Sequence, residues 1–232
     1  METVEYAPGR PADVHPGSGT GHVLLWHGRG PNERGVLATL AGLVARRGPT
    51  VVVPDWSSEA EDGGRADLLG SLRFTRDLVE AEGRDPDTLV LVGWSLGGTA
   101  AAGLTIHARR LGVGVARTVC LAGGFVAPDP ISGEVLSGRV STGREPAPFT
   151  LMHGIADDVA PVAMSRAFAQ VLEQSRWPVE LVELPTEHAG IVGTSHDAAS
   201  DQYTPATDEA TVAVVADVAD RIAATGGHFA VR

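Results

Sequence analysis

The sequence predicts an α/β fold, a three-layer α/β/α sandwich with a mostly parallel central sheet. Short apolar runs of β type alternate along the chain with longer stretches whose apolar residues recur at helical spacing. The apolar strands are continuous rather than alternating, as expected when helices cover both faces of a sheet. The 232 residues suffice for a sizeable core, so we predict one domain over 1–232.

Strands are predicted where apolar residues run together between turn signals. After a turn-rich leader at 1–21, the first clear strand contains Val23, Leu24 and Leu25, and Pro54 ends the second strand. The predicted strands span 22–26, 50–53, 88–92, 117–121, 149–152 and 178–184.

Helices are predicted where apolar residues return every three or four positions. Gly48 and Pro49 end the first helix, and Thr204 and Pro205 are expected to cap the last one. The stretch 123–148 is rich in Gly, Pro and Ser and is predicted to form a short cap or loop. The predicted helices span 35–47, 65–81, 99–110, 161–174 and 206–224.

Composition and charge argue against several classes of function. The formal net charge of −11 argues against a nucleic-acid partner, because such a protein needs a basic surface. No run approaches the roughly 18 apolar residues of a membrane span, and 1–21 lacks the apolar stretch of a signal peptide. The single cysteine, Cys120, lies in a predicted buried strand, which favours packing over catalysis. We therefore expect a cytoplasmic protein, and its sequence specifies no oligomeric state.

A serine flanked by glycines directly follows the predicted strand at 88–92. The segment Gly93-Trp94-Ser95-Leu96-Gly97-Gly98 ends that strand and precedes a helix. A tight strand-to-helix turn lifts a serine hydroxyl clear of the sheet, and the Leu96 N–H then points to where an oxyanion would form. The pattern predicts a nucleophile at Ser95. The alternative is a glycine-rich connection with a solvated serine.

The loop after the first strand is the second candidate region. Ligands of parallel sheets bind beyond the carboxyl ends of the strands, and here that position holds His27-Gly28-Arg29-Gly30. We expect the Arg29 N–H, with Gly30 second, to join Leu96 in an oxyanion hole, and Gly30 and Trp94 to contact the substrate. His27 is expected to shape the loop by hydrogen bonding. The alternative is a plain connection in which the glycines serve the turn.

An acid and a base are expected at the remaining strand ends. A serine hydroxyl needs an imidazole to take its proton, and the imidazole needs a carboxylate to orient it. We predict Asp157 for the carboxylate, with Asp158 as a helix cap or a solvated neighbour; the alternative is that both carboxylates simply lie on the surface. His188 follows the last strand and is the predicted base, with His196 in the loop at 189–203 as its competitor.

The chain order Ser95, Asp157, His188, with the serine between a strand and a helix, resembles the α/β-hydrolase superfamily across nearly the whole chain. The resemblance implies a serine esterase-like member without a large cap domain, and with neither a metal nor an organic cofactor. It implies that Ser95 attacks a small-molecule carboxylic ester through an acyl-enzyme intermediate, with His188 as base and Asp157 as acid. The matching segments are 27–30, 93–98, 153–161 and 187–188.

Two features depart from the superfamily's pattern. Arg29 stands where lipase-like members often have only glycine and apolar residues, so a cation is expected beside the acyl site. The stretch 123–148 is too short for a helical cap domain, which implies an open or lightly covered cleft.

Other functions fit the same residues. A thioesterase, an amidase or a peptidase would use the same three side chains. A second hypothesis is a catalytically silent ligand-binding protein on this scaffold, because the fold alone does not specify an activity.

Overall fold

The structure, a computed structural model, describes residues 1–136, 140, 146–197, 199–200 and 202–225. Its strands are β1 (Glu2–Ala7), β2 (Arg10–His15), β3 (His22–Trp26), β4 (Thr50–Pro54), β5 (Val90–Trp94), β6 (Arg117–Leu121), β7 (Phe149–Gly154), β8 (Val179–Leu184), β9 (Thr194–Asp197) and β10 (Gln202–Pro205). Its helices are α1 (Ala38–Ala45), α2 (Arg65–Ala81), α3 (Leu96–Leu111), α4 (Ala163–Gln174) and α5 (Glu209–Thr225).

The described residues form a central sheet of eight strands in the order β1-β2-β4-β3-β5-β6-β7-β8. Strands β3 to β8 pair in parallel, whereas β1 and β2 pair antiparallel with each other and β2 with β4. The register places Trp26 beside Gly93 and Gly154 beside Leu184. The carboxyl ends of β3, β5, β7 and β8 therefore meet at one edge of the sheet. This topology confirms the predicted fold class.

Helices cover both faces of the sheet. Helices α1 and α5 pack on one face through residues such as Leu40 and Val218, and α2, α3 and α4 cover the other face, with Leu68 of α2 in its core. Neighbouring residues of one strand enter opposite layers, since Leu25 joins the first core and Leu24 the second. This two-sided burial explains why central strands such as β3 and β4 are continuously apolar.

Cys120 has the packing role that its setting predicted. It lies in β6 with no solvent exposure, in the core formed with α4. Its thiol donates a hydrogen bond to the Gly98 carbonyl, with Sγ 3.3 Å from the oxygen. Burial raises the pKa of this thiol, which keeps it protonated.

The predicted start of the last helix is wrong, because a strand precedes the helix. Thr204 and Pro205, predicted to cap this helix, lie instead in β10. The cap of α5 is Asp208, whose Oδ1 accepts a hydrogen bond from the Thr211 N–H at 2.9 Å.

Two hairpins replace segments that were predicted to be irregular. Strands β1 and β2 lie within the predicted turn-rich leader at 1–21. Strand β9 and the first two residues of its partner β10 lie in the predicted loop at 189–203, and β10 continues to Pro205. Both predictions were wrong for the same reason. These strands are mostly exposed or half-buried, and Thr194 is the one buried residue within β9 and β10. No continuous apolar run therefore marks them.

The stretch predicted as a short cap or loop is described in part. Residues 123–136 form turns, closed by an isolated bridge between Pro128 and Val135. Residues 137–139 and 141–145 lie outside the described residues, so the prediction for 123–148 stays a prediction there. Within the described ranges, none of the helices is long and apolar enough to cross a bilayer.

Candidate active site

Ser95 lies at a sharp turn between β5 and α3, with φ of 54° and ψ of −121°. A non-glycine residue rarely adopts a positive φ, so its surroundings must hold it there. The Ser95 N–H donates to the Leu121 carbonyl at 2.8 Å, and its own carbonyl accepts from the N–H groups of Gly98 and Thr99. The strand-to-helix turn expected from the sequence is present, and it leaves Ser95 half-buried.

Glycines let three backbone segments approach one another at this turn. A Cβ at Gly97 would lie 2.2 Å from the His27 carbonyl oxygen, and a Cβ at Gly93 would lie 2.1 Å from the Gly97 carbonyl oxygen. A Cβ at Gly28 would lie 3.1 Å from the Cβ of Ser95. The loop after β3 therefore packs directly against the serine, which places the predicted oxyanion loop beside the predicted nucleophile.

Asp157 and His188 form a buried pair at the ends of the adjacent strands β7 and β8. His188 Nδ1 lies 2.7 Å from Asp157 Oδ2, and the two side chains are 8% and 0% exposed. Asp157 Oδ1 accepts hydrogen bonds from the N–H groups of Val159 and Ala160 at 3.0 and 2.8 Å. The carboxylate is thus held through both oxygens, and the structure brings these two predicted residues together.

Hydrogen bonding determines the charge of Asp157. Burial alone would raise the pKa of this carboxyl group, but hydrogen bonds from His153 and His188 and from the Ala160 amide outweigh burial and hold the pKa well below its usual range. Asp157 is therefore ionised at neutral pH. A carboxylate bonded to Nδ1 leaves Nε2 of His188 as the atom that accepts a proton.

His153 is a further member of this network that the sequence reasoning missed. Its Nε2 lies 2.6 Å from the Ala160 carbonyl and 3.2 Å from Asp157 Oδ2, and its Nδ1 lies 2.7 Å from Ser165 Oγ. Because Nε2 faces two acceptors, that nitrogen carries a proton. The sequence feature that could have indicated His153 is its position at the end of an apolar strand, four residues before Asp157.

Trp94 supports His188. Its Nε1 donates to the His188 carbonyl at 3.0 Å, and the two rings lie 5.2 Å apart. Tyr203 of β10 meets the indole edge-on at 5.7 Å. Trp94 is 3% exposed, so these contacts make it a support for the base, and its contact with substrate stays a prediction.

In the predicted oxyanion loop, the N–H of Gly30 is already hydrogen-bonded, whereas Arg29 is exposed. The Gly30 N–H donates to Ser58 Oγ at 3.0 Å, so this second-choice donor already has an acceptor. Arg29 is exposed at the tip of the loop. Leu96 is the first residue of α3, where a backbone N–H has no acceptor within the helix. The N–H groups of Arg29 and Leu96 remain the predicted donors.

His27 lies in the loop with the structural role predicted for it. Its Nδ1 donates to the Gly28 carbonyl at 2.9 Å, and its Nε2 accepts from the N–H groups of Glu33 and Trp56. The imidazole also stacks on the Trp56 ring at 5.2 Å. Burial lowers the pKa of His27 to about 4, despite the hydrogen bonds that oppose this shift. The ring is therefore neutral and binds the loop together.

Neither His196, the alternative candidate for the base, nor Asp158, the neighbour of the predicted acid, belongs to the buried Asp–His pair. His196 is exposed in β9, and its ring lies 4.7 Å from that of Tyr203. Asp158 is exposed, and α4 has no side-chain cap, so Asp158 is the solvated neighbour and not the helix cap.

A cavity of about 440 Å³ opens beside the turn. Leu96, which directly follows Ser95, lines it together with Arg29 of the oxyanion loop. Its other walls come from the start of α2 and from the turns at 127–133.

A serine on a strand-to-helix turn and an Asp–His pair at the carboxyl edge of a mostly parallel sheet define a class, the proteins of the α/β-hydrolase fold. The sequence profile of the Alpha/beta hydrolase family matches residues 23–231, and this chain belongs to that family.

Solved structures of an esterase share this fold. The apo form of Thermogutta terrifontis esterase 2 is 15% identical, with a TM-score of 0.73 over 100% of this chain and 96% of that chain. The same esterase phosphorylated by paraoxon gives a TM-score of 0.72 at 15% identity, with the same coverage of both chains. Its butyrate-bound form gives 0.71 at 14% identity, again with that coverage. No curated protein matches the chain significantly.

Proposed function

We propose that this hydrolase cleaves carboxylic esters, with Ser95 as nucleophile, His188 as general base and Asp157 as the carboxylate that orients the base. The observation that carries the proposal is the buried 2.7 Å contact between His188 Nδ1 and Asp157 Oδ2. It lies at the same sheet edge as the strained turn that bears Ser95. An ionised carboxylate on Nδ1 stabilises the imidazolium that forms when Nε2 takes the serine proton.

The proposed reaction has two halves. Ser95 Oγ attacks the acyl carbon while His188 Nε2 takes the hydroxyl proton, and the N–H groups of Leu96 and Arg29 donate to the oxyanion. The bond to the alkoxy oxygen breaks, and His188 returns the proton to the departing alcohol. Water then attacks the acyl-enzyme, giving one proton to His188. Release of the carboxylic acid returns that proton to Ser95.

The solved structures of similar fold support an ester over the other acyl substrates. The neighbours are described as an esterase, in forms with butyrate or propionate bound and in forms phosphorylated or phosphonylated. We extend this to a small-molecule ester for the present chain, with no metal or organic cofactor in the proposed steps. The single cysteine needs no oxidising compartment, which supports the proposed cytoplasmic location.

Labelling with a fluorophosphonate probe tests the activated serine without a choice of substrate. We expect rapid labelling and hydrolysis of 4-nitrophenyl butyrate by the native protein. Both should be lost in Ser95→Ala, with a fall in kcat of about 10⁶-fold for a serine that works with a base. Ser18→Ala, an exposed serine of the N-terminal region, is the matched control and should retain both. Equal labelling of native protein and Ser95→Ala would reject the proposal.

A further inference from the structure

The cavity beside Leu96 has charged walls that the proposed ester hydrolysis does not use. Arg29 and Arg65 line it together with the hydroxyl-bearing Ser58 and the carboxylates of Asp62 and Asp129. Both guanidinium groups belong to exposed residues. The cavity therefore extends from Leu96, which follows the proposed nucleophile directly, to the guanidinium groups of Arg29 and Arg65.

The two carboxylates of the wall are already engaged. Asp62 accepts hydrogen bonds from the N–H groups of Gly64 and Ala66 at 3.0 and 2.7 Å, at the start of α2. Asp129, which has no solvent exposure, accepts from the N–H groups of Ile131 and Ser132 at 2.8 and 2.9 Å. Each carboxylate is thus bound to the amides of its own turn.

Neither arginine of the wall is paired with a carboxylate of a described residue. Across the part of the chain that the structure describes, no carboxylate lies within 4.0 Å of either guanidinium, whereas ten other basic side chains, arginines and histidines, make such contacts. Arg65 Nε donates to the Ile131 carbonyl at 2.8 Å, which holds this guanidinium at the wall. Ser58 Oγ accepts from the Gly30 N–H, so its own hydrogen remains available to a ligand.

We propose that this cavity binds a carboxylate carried by the substrate, so that the preferred esters are those with a free carboxylate besides the scissile bond. A guanidinium presents a fork of donors that matches a carboxylate, and both arginines border the cavity. A singly charged group fits better than a dianion, because Asp62 and Asp129 contribute negative charge to the same wall. This inference rests on the proposed function and names its substrate class.

Matched pairs of esters test the inference. The mono-4-nitrophenyl ester of adipic acid is compared with the corresponding ester of adipic acid monoamide, which has the same size and no charge. The second pair places the charge on the alcohol side, with 4-carboxyphenyl hexanoate against 4-carbamoylphenyl hexanoate. The measured quantity is the ratio of kcat/KM for the charged ester to that for its neutral partner. Any change in the chemical step cancels in this ratio.

We expect the native protein to prefer the charged ester in at least one of the two pairs. The ratio should fall about 10-fold in Arg29→Gln or Arg65→Gln, as is typical for loss of a charge-assisted contact in a partly exposed site. It should also fall as salt increases, because the groups are accessible to solvent. Arg110→Gln, an exposed arginine at the end of α3, is the control and should leave the ratio as it is.

The outcomes separate this inference from the proposed function. If neutral esters are hydrolysed in a Ser95-dependent manner but neither ratio changes in Arg29→Gln and Arg65→Gln, the carboxylate site is wrong and the esterase proposal stands. If the ratios equal one in the native protein, the inference is also overturned. If hydrolysis survives in Ser95→Ala, the proposed function itself fails.

Discussion

At the scale of single residues, the two carboxylate oxygens of Asp157 contact different groups. Oδ1 binds the N–H groups of Val159 and Ala160, which fixes the turn after β7. Oδ2 faces the imidazoles of His188 and His153. The same side chain therefore shapes its loop and presents a charge to the proposed base.

Replacement of Asp157 separates these two tasks. In Asp157→Asn we expect kcat on 4-nitrophenyl butyrate to fall by about 10⁴-fold, because an amide no longer stabilises the imidazolium. Asp158→Asn, the exposed neighbour, should retain the native rate. Native-like activity in Asp157→Asn would contradict the proposed role.

We expect His153 to contribute mainly to the stability of the fold. Its removal in His153→Ala would leave the buried Ser165 hydroxyl and Ala160 carbonyl without a partner. We expect the free energy of unfolding to fall by about 2 kcal/mol or more, since each buried polar group left unsatisfied costs about 1–3 kcal/mol. Urea unfolding measures this, and Ser165→Ala should cost less because it removes one contact only. An unchanged midpoint in His153→Ala would contradict this account.

The sequence was informative for site residues that follow predicted strands. Ser95, Asp157 and His188 each come after an apolar run, and the parallel topology brings such positions to one edge. His153 was missed because its partners, the Ser165 hydroxyl and the Ala160 carbonyl, are brought to it only by folding. The engaged state of the Gly30 N–H depends on Ser58, which lies 28 residues away and is placed only by folding.

At the scale of secondary-structure elements, the contact between β3, β5 and α3 depends on the absence of side chains. Gly97 lies so close to the His27 carbonyl that an added Cβ would be 2.2 Å away from it. The backbone of either segment would have to move to admit even a methyl group.

A methyl group at this crossing tests the arrangement. We expect Gly97→Ala to lose the proposed activity and to unfold at lower urea, because the loop after β3 is pushed away from Ser95. Gly35→Ala, where an added Cβ meets nothing within 4 Å, is the matched control and should remain close to native. If both variants behave alike, close backbone approach is not what requires glycine at 97.

Elements were predictable where both faces of a strand are buried. Strands β3 and β6 and helix α2 have the predicted bounds. The strands are marked by apolar runs that are buried on both faces, and the helix is marked by apolar residues at helical spacing on its one buried face. The hairpin of β9 and β10 is almost entirely exposed, so its pairing depends on backbone hydrogen bonds that leave no pattern in the side chains.

At the scale of the whole molecule, one neutral histidine makes the fold sensitive to acid. Burial lowers the pKa of His27 to about 4, from about 6.5 for a histidine in an unfolded chain. Between these two pH values the unfolded chain binds a proton that the folded protein excludes, so stability falls as the pH falls. The depressed pKa of Asp157 continues the loss at lower pH, where that carboxylate must be protonated.

Urea unfolding at a series of pH values measures this effect. We expect the free energy of unfolding to fall by about 3 kcal/mol between pH 6.5 and pH 4 on account of His27, since one pKa unit corresponds to about 1.4 kcal/mol. In His27→Gln, whose amide does not titrate, the fall over this range should be smaller, whatever the stability at pH 7. The same slope in both proteins would show that His27 is not responsible.

The single thiol of the chain is enclosed between β6 and the helix that carries Gly98. A water-soluble disulfide reagent reaches Cys120 only when the sheet separates from the helices α3 and α4 that cover the thiol. The rate at which the reagent modifies Cys120 in the native protein therefore measures how often these layers separate spontaneously, and no label has to be engineered. Because there is one such group, each molecule gives one signal, and the signal comes from β6, the strand that pairs with β5 beside the turn of Ser95.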